Sequence, residues 1–132
     1  MKRRNDPEVA AWLKKAEGDL RMARLAMESE DPLWDQACFH CQQAAEKSLK
    51  AISVAYEQPV PRTHDLVRVI ELLSEYLPRI EELGDHAAVL TPFGVSPRYP
   101  SFLASETETQ ATDALRRAQE IYARVTSFLE RP

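Results

Sequence analysis

The chain reads as an all-α protein, an up-down bundle of four to five antiparallel helices. Three observations predict this. Apolar residues recur at spacings of three and four through most of the 132 residues, and no segment of useful length alternates with the period of two that a strand needs. Asp-Pro, Pro-x-Pro and single prolines punctuate the periodic runs at helix-length intervals. By length, residues 1–132 form a single domain with one core. A chain of this size buries about two-thirds of the surface its unfolded form exposes.

Each element follows in order. Asp6-Pro7 supplies a cap and a helix-compatible first residue, opening a run to about Ser29. Val9, Trp12, Leu13, Ala16, Leu20, Ala23 and Met27 recur there at helical spacing, with charged residues between them. Asp31-Pro32 repeats the signal and opens a second helix to about Glu57. At 100° per residue its apolar and small residues make one arc, from Trp34, Ala37, Cys38 and Cys41 through Ala44, Ala45, Ser48 and Leu49 to Ile52, Ala55 and Tyr56. This is the expected central core helix. Gln58-Pro59-Val60-Pro61 is extended, and Thr63 is placed to cap a third helix through about Leu77, with Leu66, Val69, Ile70, Leu73 and Leu77 inward. Pro78 separates a shorter fourth helix carrying Ile80, Leu83, Ala87 and Leu90. Thr91 to Ser101, with three prolines and a glycine, is a loop. The last helix runs from about Thr107 to Glu130 and buries Ala111, Ala114, Ala118, Ile121, Val125 and Phe128. Three helices of more than 20 residues are each roughly 30 Å long, the dimension of a bundle.

Composition removes several classes of function. With three glycines and no G-x-x-x-x-G-K-[ST] or G-x-G-x-x-G run, a phosphate cradle of backbone amides is unsupported. Phosphate contacts must come from Arg, Lys or a helix N-terminus. A net charge of −4 argues against a generally basic nucleic-acid surface but leaves room for a local basic patch. Two cysteines do not make a disulfide framework. No secretory leader and no apolar run of about 18 residues is present, so neither export nor membrane spanning is expected, and the cytoplasm is the expected location. Cys38-Phe39-His40-Cys41 has C-x-x-C spacing, but zinc needs four ligands and redox chemistry a βα context, so both cysteines are read as core. No metal or cofactor is expected.

Three groups of residues are candidates for function. On the second helix, Phe39, Gln43, Glu46, Lys50 and Val54 lie opposite the apolar arc, on the side a lone bundle leaves in water. Glu46 and Lys50 are a favourable i,i+4 pair. Phe39 and Val54 among these charges predict either a dimer or partner interface or second-layer packing inside the chain. At the entrance to the third helix, Arg62, His64 and Asp65 can hold an anion, with the helix dipole adding to the arginine; a plain cap is the alternative. On the stiff loop, Arg98-Tyr99-Pro100 suits pairing with a phosphate and stacking on a base.

Taken together these segments resemble the HEPN domain. The features are Trp12-Leu13, Ala16, Asp19-Leu20 and Ala23, then Cys38-Phe39-His40, then Gln43-Ala44-Ala45-Glu46-Lys47-Ser48-Leu49-Lys50-Ala51, followed by Arg62-Thr63-His64-Asp65-Leu66 and Arg98-Tyr99-Pro100. The resemblance spans almost the whole chain. It implies a four- or five-helix bundle that forms a homodimer and joins a minimal nucleotidyltransferase in a two-component system, often of toxin–antitoxin character. It further implies that Gln43, Glu46, Lys50, Arg62, His64, Arg98 and Tyr99 line a nucleotide- or RNA-contacting cleft. Some members are metal-independent RNA endonucleases carrying Arg, four to six residues, then His. No histidine follows Arg98 here. Arg79 and His86 have six residues between them but include Gly84 in an ordinary polar stretch, and are read as coincidence. The resemblance thus implies a binding subunit, with the endonuclease and a helical interaction module without nucleotide affinity as alternatives.

Overall fold

The computed structural model describes residues 1–94 and 105–130. Among the described residues the chain forms the expected all-α bundle from five helices: α1 (Pro7–Glu28), α2 (Trp34–Ala55), α3 (Leu66–Ser74), α4 (Gly84–Leu90) and α5 (Glu108–Glu130). Short 3₁₀ turns occupy Pro78–Leu83 and Thr91–Gly94.

α1 begins where the Asp6 carboxylate accepts hydrogen bonds from the Glu8 and Val9 amides at 3.0 and 3.3 Å, satisfying donors that the helix itself cannot. It turns back tightly into α2. The Leu33 amide bonds to the Ala26 carbonyl at 2.9 Å, so α2 starts at Trp34, two residues after Pro32. α1 is antiparallel to α2: Lys2 donates its amide to the Ala55 carbonyl at one end, and Asp19 meets His40 and Lys47 midway. α1 is antiparallel to α5 as well, through Arg4–Glu130 and Glu17–Tyr122.

α2 ends in a Schellman motif, and its closing residue is unusual. Glu57 adopts φ 57°, the left-handed region that glycine normally fills. Its amide bonds to Val54, and that of Gln58 to Ser53, at 3.0 and 2.9 Å. From here the chain runs extended alongside α2, kept out of helix by Pro59 and Pro61. Seven extended residues span up to about 23 Å, more than the roughly 14 Å that nine residues of α2 occupy. The chain therefore carries His64 back from the foot of α2 to the level of Glu46. α3 then runs parallel to α2, bringing Tyr76 against Tyr56 with ring centroids 5.0 Å apart. α4 returns antiparallel to α5, with Arg79 against Phe128 and His86 against Arg117.

The cap of α3 is Asp65, whose carboxylate accepts from the Val67 and Arg68 amides, and not Thr63, whose hydroxyl accepts from the Asp65 amide. α3 is also shorter than its periodicity suggests, closing at Ser74 before Leu77. The core residues expected on α5 are all buried, as are Val9, Leu13, Ala16, Leu20 and Ala23 of α1. Leu49, Ile52, Leu66, Leu73, Ile80, Leu90, Ile121 and Leu129 are fully enclosed. Cys38 and Cys41 sit in the same core, and burial pushes both thiols up to about 12, away from reactivity. No helix among the described residues is long and apolar enough to cross a membrane.

Two substitutions test this packing by urea unfolding. Leu49→Ala at the centre of α2 is expected to cost about 2–5 kcal/mol, and a loss under 1 would contradict its central place. Glu57→Gly is expected to stabilise by about 0.5–1 kcal/mol, since glycine relieves the left-handed backbone; destabilisation would contradict the motif.

Candidate functional site

α2 is covered on two sides. α1 and α5 take its apolar arc, and the returning segment with α3 and α4 takes part of the opposite face. The expectation that this opposite face lies in water is therefore corrected: Glu46, Lys50 and Val54 are only 5, 6 and 5 % exposed. Val54 belongs to the core of its own chain, which is second-layer packing and not an open interface. Phe39 is half-buried, its ring edge-on to His40 at 5.4 Å. Gln43 is half-buried, and its amide donates to Gln42 Oε1 at 2.7 Å.

Burying a carboxylate is costly unless partners surround it. Glu46 has three. Oε1 accepts from His64 Nδ1 at 2.8 Å and from Gln42 Nε2 at 3.3 Å, while Oε2 accepts from Lys50 Nζ at 3.0 Å. Burial pushes the Glu46 carboxyl up, but the hydrogen bonds from His64, Lys50 and Gln42 outweigh it and hold the group below the usual carboxylate range. Lys50 is thereby spent on Glu46, one turn away. His64 is not: its side chain is 73 % exposed while its inner nitrogen is anchored. Arg62, two residues earlier, is exposed and makes no ion pair among the described residues.

The structure thus brings together Gln43, Glu46, Lys50 and His64, with Arg62 on the adjoining segment. Arg98 and Tyr99 lie outside the described residues. The residue that sequence reasoning missed is Gln42. It is fully buried, bonds to Glu46, and donates to the His64 carbonyl at 3.1 Å. Its signal was its spacing, four residues before Glu46 on the edge of the apolar arc.

Arg79 and His86 are not one site. The Arg79 guanidinium lies over the Phe128 ring at 5.6 Å, while His86 Nδ1 accepts from Arg117 Nη1 at 3.1 Å. These partners are eleven residues apart on α5, about 16 Å along the helix. Burial lowers the His86 pKa, and Arg117 and Arg116 lower it further, so the ring is held neutral. A second polar cluster joins α1 to α2, where nearly buried Asp19 accepts from His40 and Lys47.

The Glu46 network makes stability depend on acid. A carboxyl whose folded pKa is depressed stabilises the fold above its unfolded value, near 4.5, and loses that contribution as pH falls towards the folded value. Unfolding free energy measured from pH 6 to pH 3 is expected to fall more steeply in the wild type than in Glu46→Gln. Equal slopes would mean that Glu46 gains nothing from its partners.

The HEPN domain family profile matches residues 9–128. The crystal structure of TT1696 from Thermus thermophilus is similar, with 30% identity, a TM-score of 0.78, and coverage of 92% of this chain and 98% of that one. ST0689, an archaeal HEPN homologue, is 27% identical with a TM-score of 0.71, covering 98% and 100% of the two chains. No curated protein matches significantly. The profile spans nearly the whole bundle, Glu46 and His64 included, and the chain belongs to the HEPN domain family.

Proposed function

We propose that this chain is a HEPN subunit that meets a phosphate-bearing partner, a nucleotide or RNA, at His64. The observation that carries the reading is the Glu46–His64 contact of 2.8 Å beneath an imidazole that is 73 % exposed. A side chain anchored from inside and open outside is what recognition needs, because its orientation is settled before the ligand arrives. Arg62 supplies positive charge beside it. Arg98 and Tyr99, which the family resemblance implies, are the phosphate and base contacts of this reading. Glu46, Lys50 and Gln42 support the site without touching the ligand, since their polar atoms serve one another. In this reading the subunit is a homodimer beside a minimal nucleotidyltransferase, with Phe39 as the remaining candidate contact from α2.

One observation favours a second reading, a metal-independent RNA endonuclease. A carboxylate behind one imidazole nitrogen, with the other facing solvent, is the arrangement general acid–base catalysis uses. The imidazole would take the proton of a ribose 2′-hydroxyl as that oxygen attacks the adjacent phosphorus, and the 5′-oxygen of the next nucleotide would leave with a proton, giving a 2′,3′-cyclic phosphate and a 5′-hydroxyl. His86 does not fit this role: its Nδ1 accepts from Arg117 Nη1, so no carboxylate stands behind the ring.

Labelled single-stranded RNA in EDTA tests both. His64→Ala and Arg98→Ala are each expected to weaken binding by about tenfold or more, with a reduced salt slope for Arg98→Ala. Under the endonuclease reading, cleavage is lost in His64→Ala and kept in His86→Ala. Absence of RNA and nucleotide binding at low salt would overturn both and leave a helical interaction module.

A further inference from the structure

Gln42 is the one large polar side chain of α2 with no exposed surface, and it bonds to Gln43, to Glu46 and to the backbone of His64. Its Nε2 donates both to Glu46 Oε1 and to the His64 carbonyl, at 3.3 and 3.1 Å, and its Oε1 accepts from Gln43. One amide thus ties the histidine's backbone to the carboxylate that its ring must reach. Above the amide sits Gly94. A Cβ at that position would lie 3.2 Å from Gln42 Cδ and 3.3 Å from Nε2, tighter than ordinary contact. Gln42 cannot yield there without stretching one of its own hydrogen bonds.

The protonation pattern follows. Glu46 Oε2 accepts from the Lys50 ammonium, so Glu46 is a carboxylate and can only accept. The nitrogen facing it, His64 Nδ1, must then carry the proton. In the neutral ring the Nε2 lone pair is left pointing outward.

We propose that Gln42, seated by Gly94, is a positioning residue that holds His64 as the Nδ1–H tautomer and presents Nε2 as a hydrogen-bond acceptor. Such an acceptor cannot bond to phosphate oxygens, which also only accept, but it suits a hydroxyl donor. The ligand class it selects is therefore a ribonucleotide or RNA offering its ribose 2′-hydroxyl, the sugar donor that the deoxy form lacks. This selection rests on the function proposed above; the tautomer does not.

Imidazole ¹⁵N spectra of the free full-length protein, recorded on the alkaline side of the histidine titration, read the tautomer directly. The wild type is expected to show His64 protonated at Nδ1. Gln42→Met, close in volume, is expected to shift the Nδ1–H to Nε2–H ratio by about fivefold towards Nε2–H, the effect of losing one hydrogen bond. Gly94→Ala, which keeps Gln42 and is the variant to rely on if Gln42→Met does not fold, is expected to shift it in the same direction. Gly84→Ala, where a Cβ meets nothing within 4 Å, is the control. An Nε2–H wild type, or a ratio unmoved in Gly94→Ala, overturns the positioning role. Anisotropy with matched ribo- and deoxyribo-oligonucleotides then reads selection separately. A ribose preference of several-fold that disappears in Gly94→Ala supports it. Equal affinity for both sugars overturns the selection while leaving the tautomer result standing, and no affinity for either counts against the proposed function alone.

Discussion

A carboxylate at the middle of the central helix must be neutralised, and much of the structure answers to that need. An unpaired Glu46 in its nearly waterless position would cost several kcal/mol. Lys50 on the same helix supplies one partner, but it serves Oε2 alone and leaves Oε1 unmet. The second partner arrives from elsewhere in the chain. Pro59 and Pro61 keep the segment after α2 extended, it climbs back beside the helix it has just left, and His64 meets Glu46 Oε1. Gln42 fills the remaining space and bonds to both. The fully satisfied set leaves no buried side-chain polar atom unpartnered among the described residues, which is how a polar network avoids becoming a fault in the core.

That arrangement separates the roles of residues that the sequence groups together. Glu46 and Lys50 look like a solvated ion pair on a helical wheel, and they are internal. His64 looks like a cap residue, and it is the exposed end of an internal network. The neighbouring Asp65 takes the capping task, with its carboxylate on the Val67 and Arg68 amides. Freed from capping, His64 can be aimed by Glu46. The cluster of Asp19 with His40 and Lys47 on the other side of α2 repeats the principle with opposite geometry, a buried carboxylate joining two helices. α2 is thus pinned by one acidic residue towards α1 and by another towards α3.

Much of the architecture was legible in the sequence because apolar periodicity and proline are direct physical signals. The buried residues of α1 and α5 and the extended Gln58–Pro61 segment all follow from them. What periodicity could not show is that α2 is covered twice. A helical wheel reports one apolar arc, and a face of Gln, Glu and Lys reads as solvent-facing because nothing local reveals that a histidine 18 residues later will neutralise it. Val54 was the residue that conflicted with the solvent reading, and it proves to be core. Gln42 carries only a weak local signal, its place four residues before Glu46 at the edge of the apolar arc, because its partners and not its neighbours in sequence make a buried amide recognisable. Glu57 in the left-handed region was equally hidden, since glycine is the usual marker of such a stop.

If a buried carboxylate draws the returning segment to α2, Glu46 and His64 must be energetically coupled. A double-mutant cycle of Glu46→Gln and His64→Ala, measured by urea unfolding near pH 6, tests it most directly. A coupling of about 0.5–1.5 kcal/mol is expected, the worth of a charge-assisted hydrogen bond reduced for the exposure of the imidazole. Additivity within about 0.3 kcal/mol would mean that the two side chains act independently and that Glu46 does not place His64.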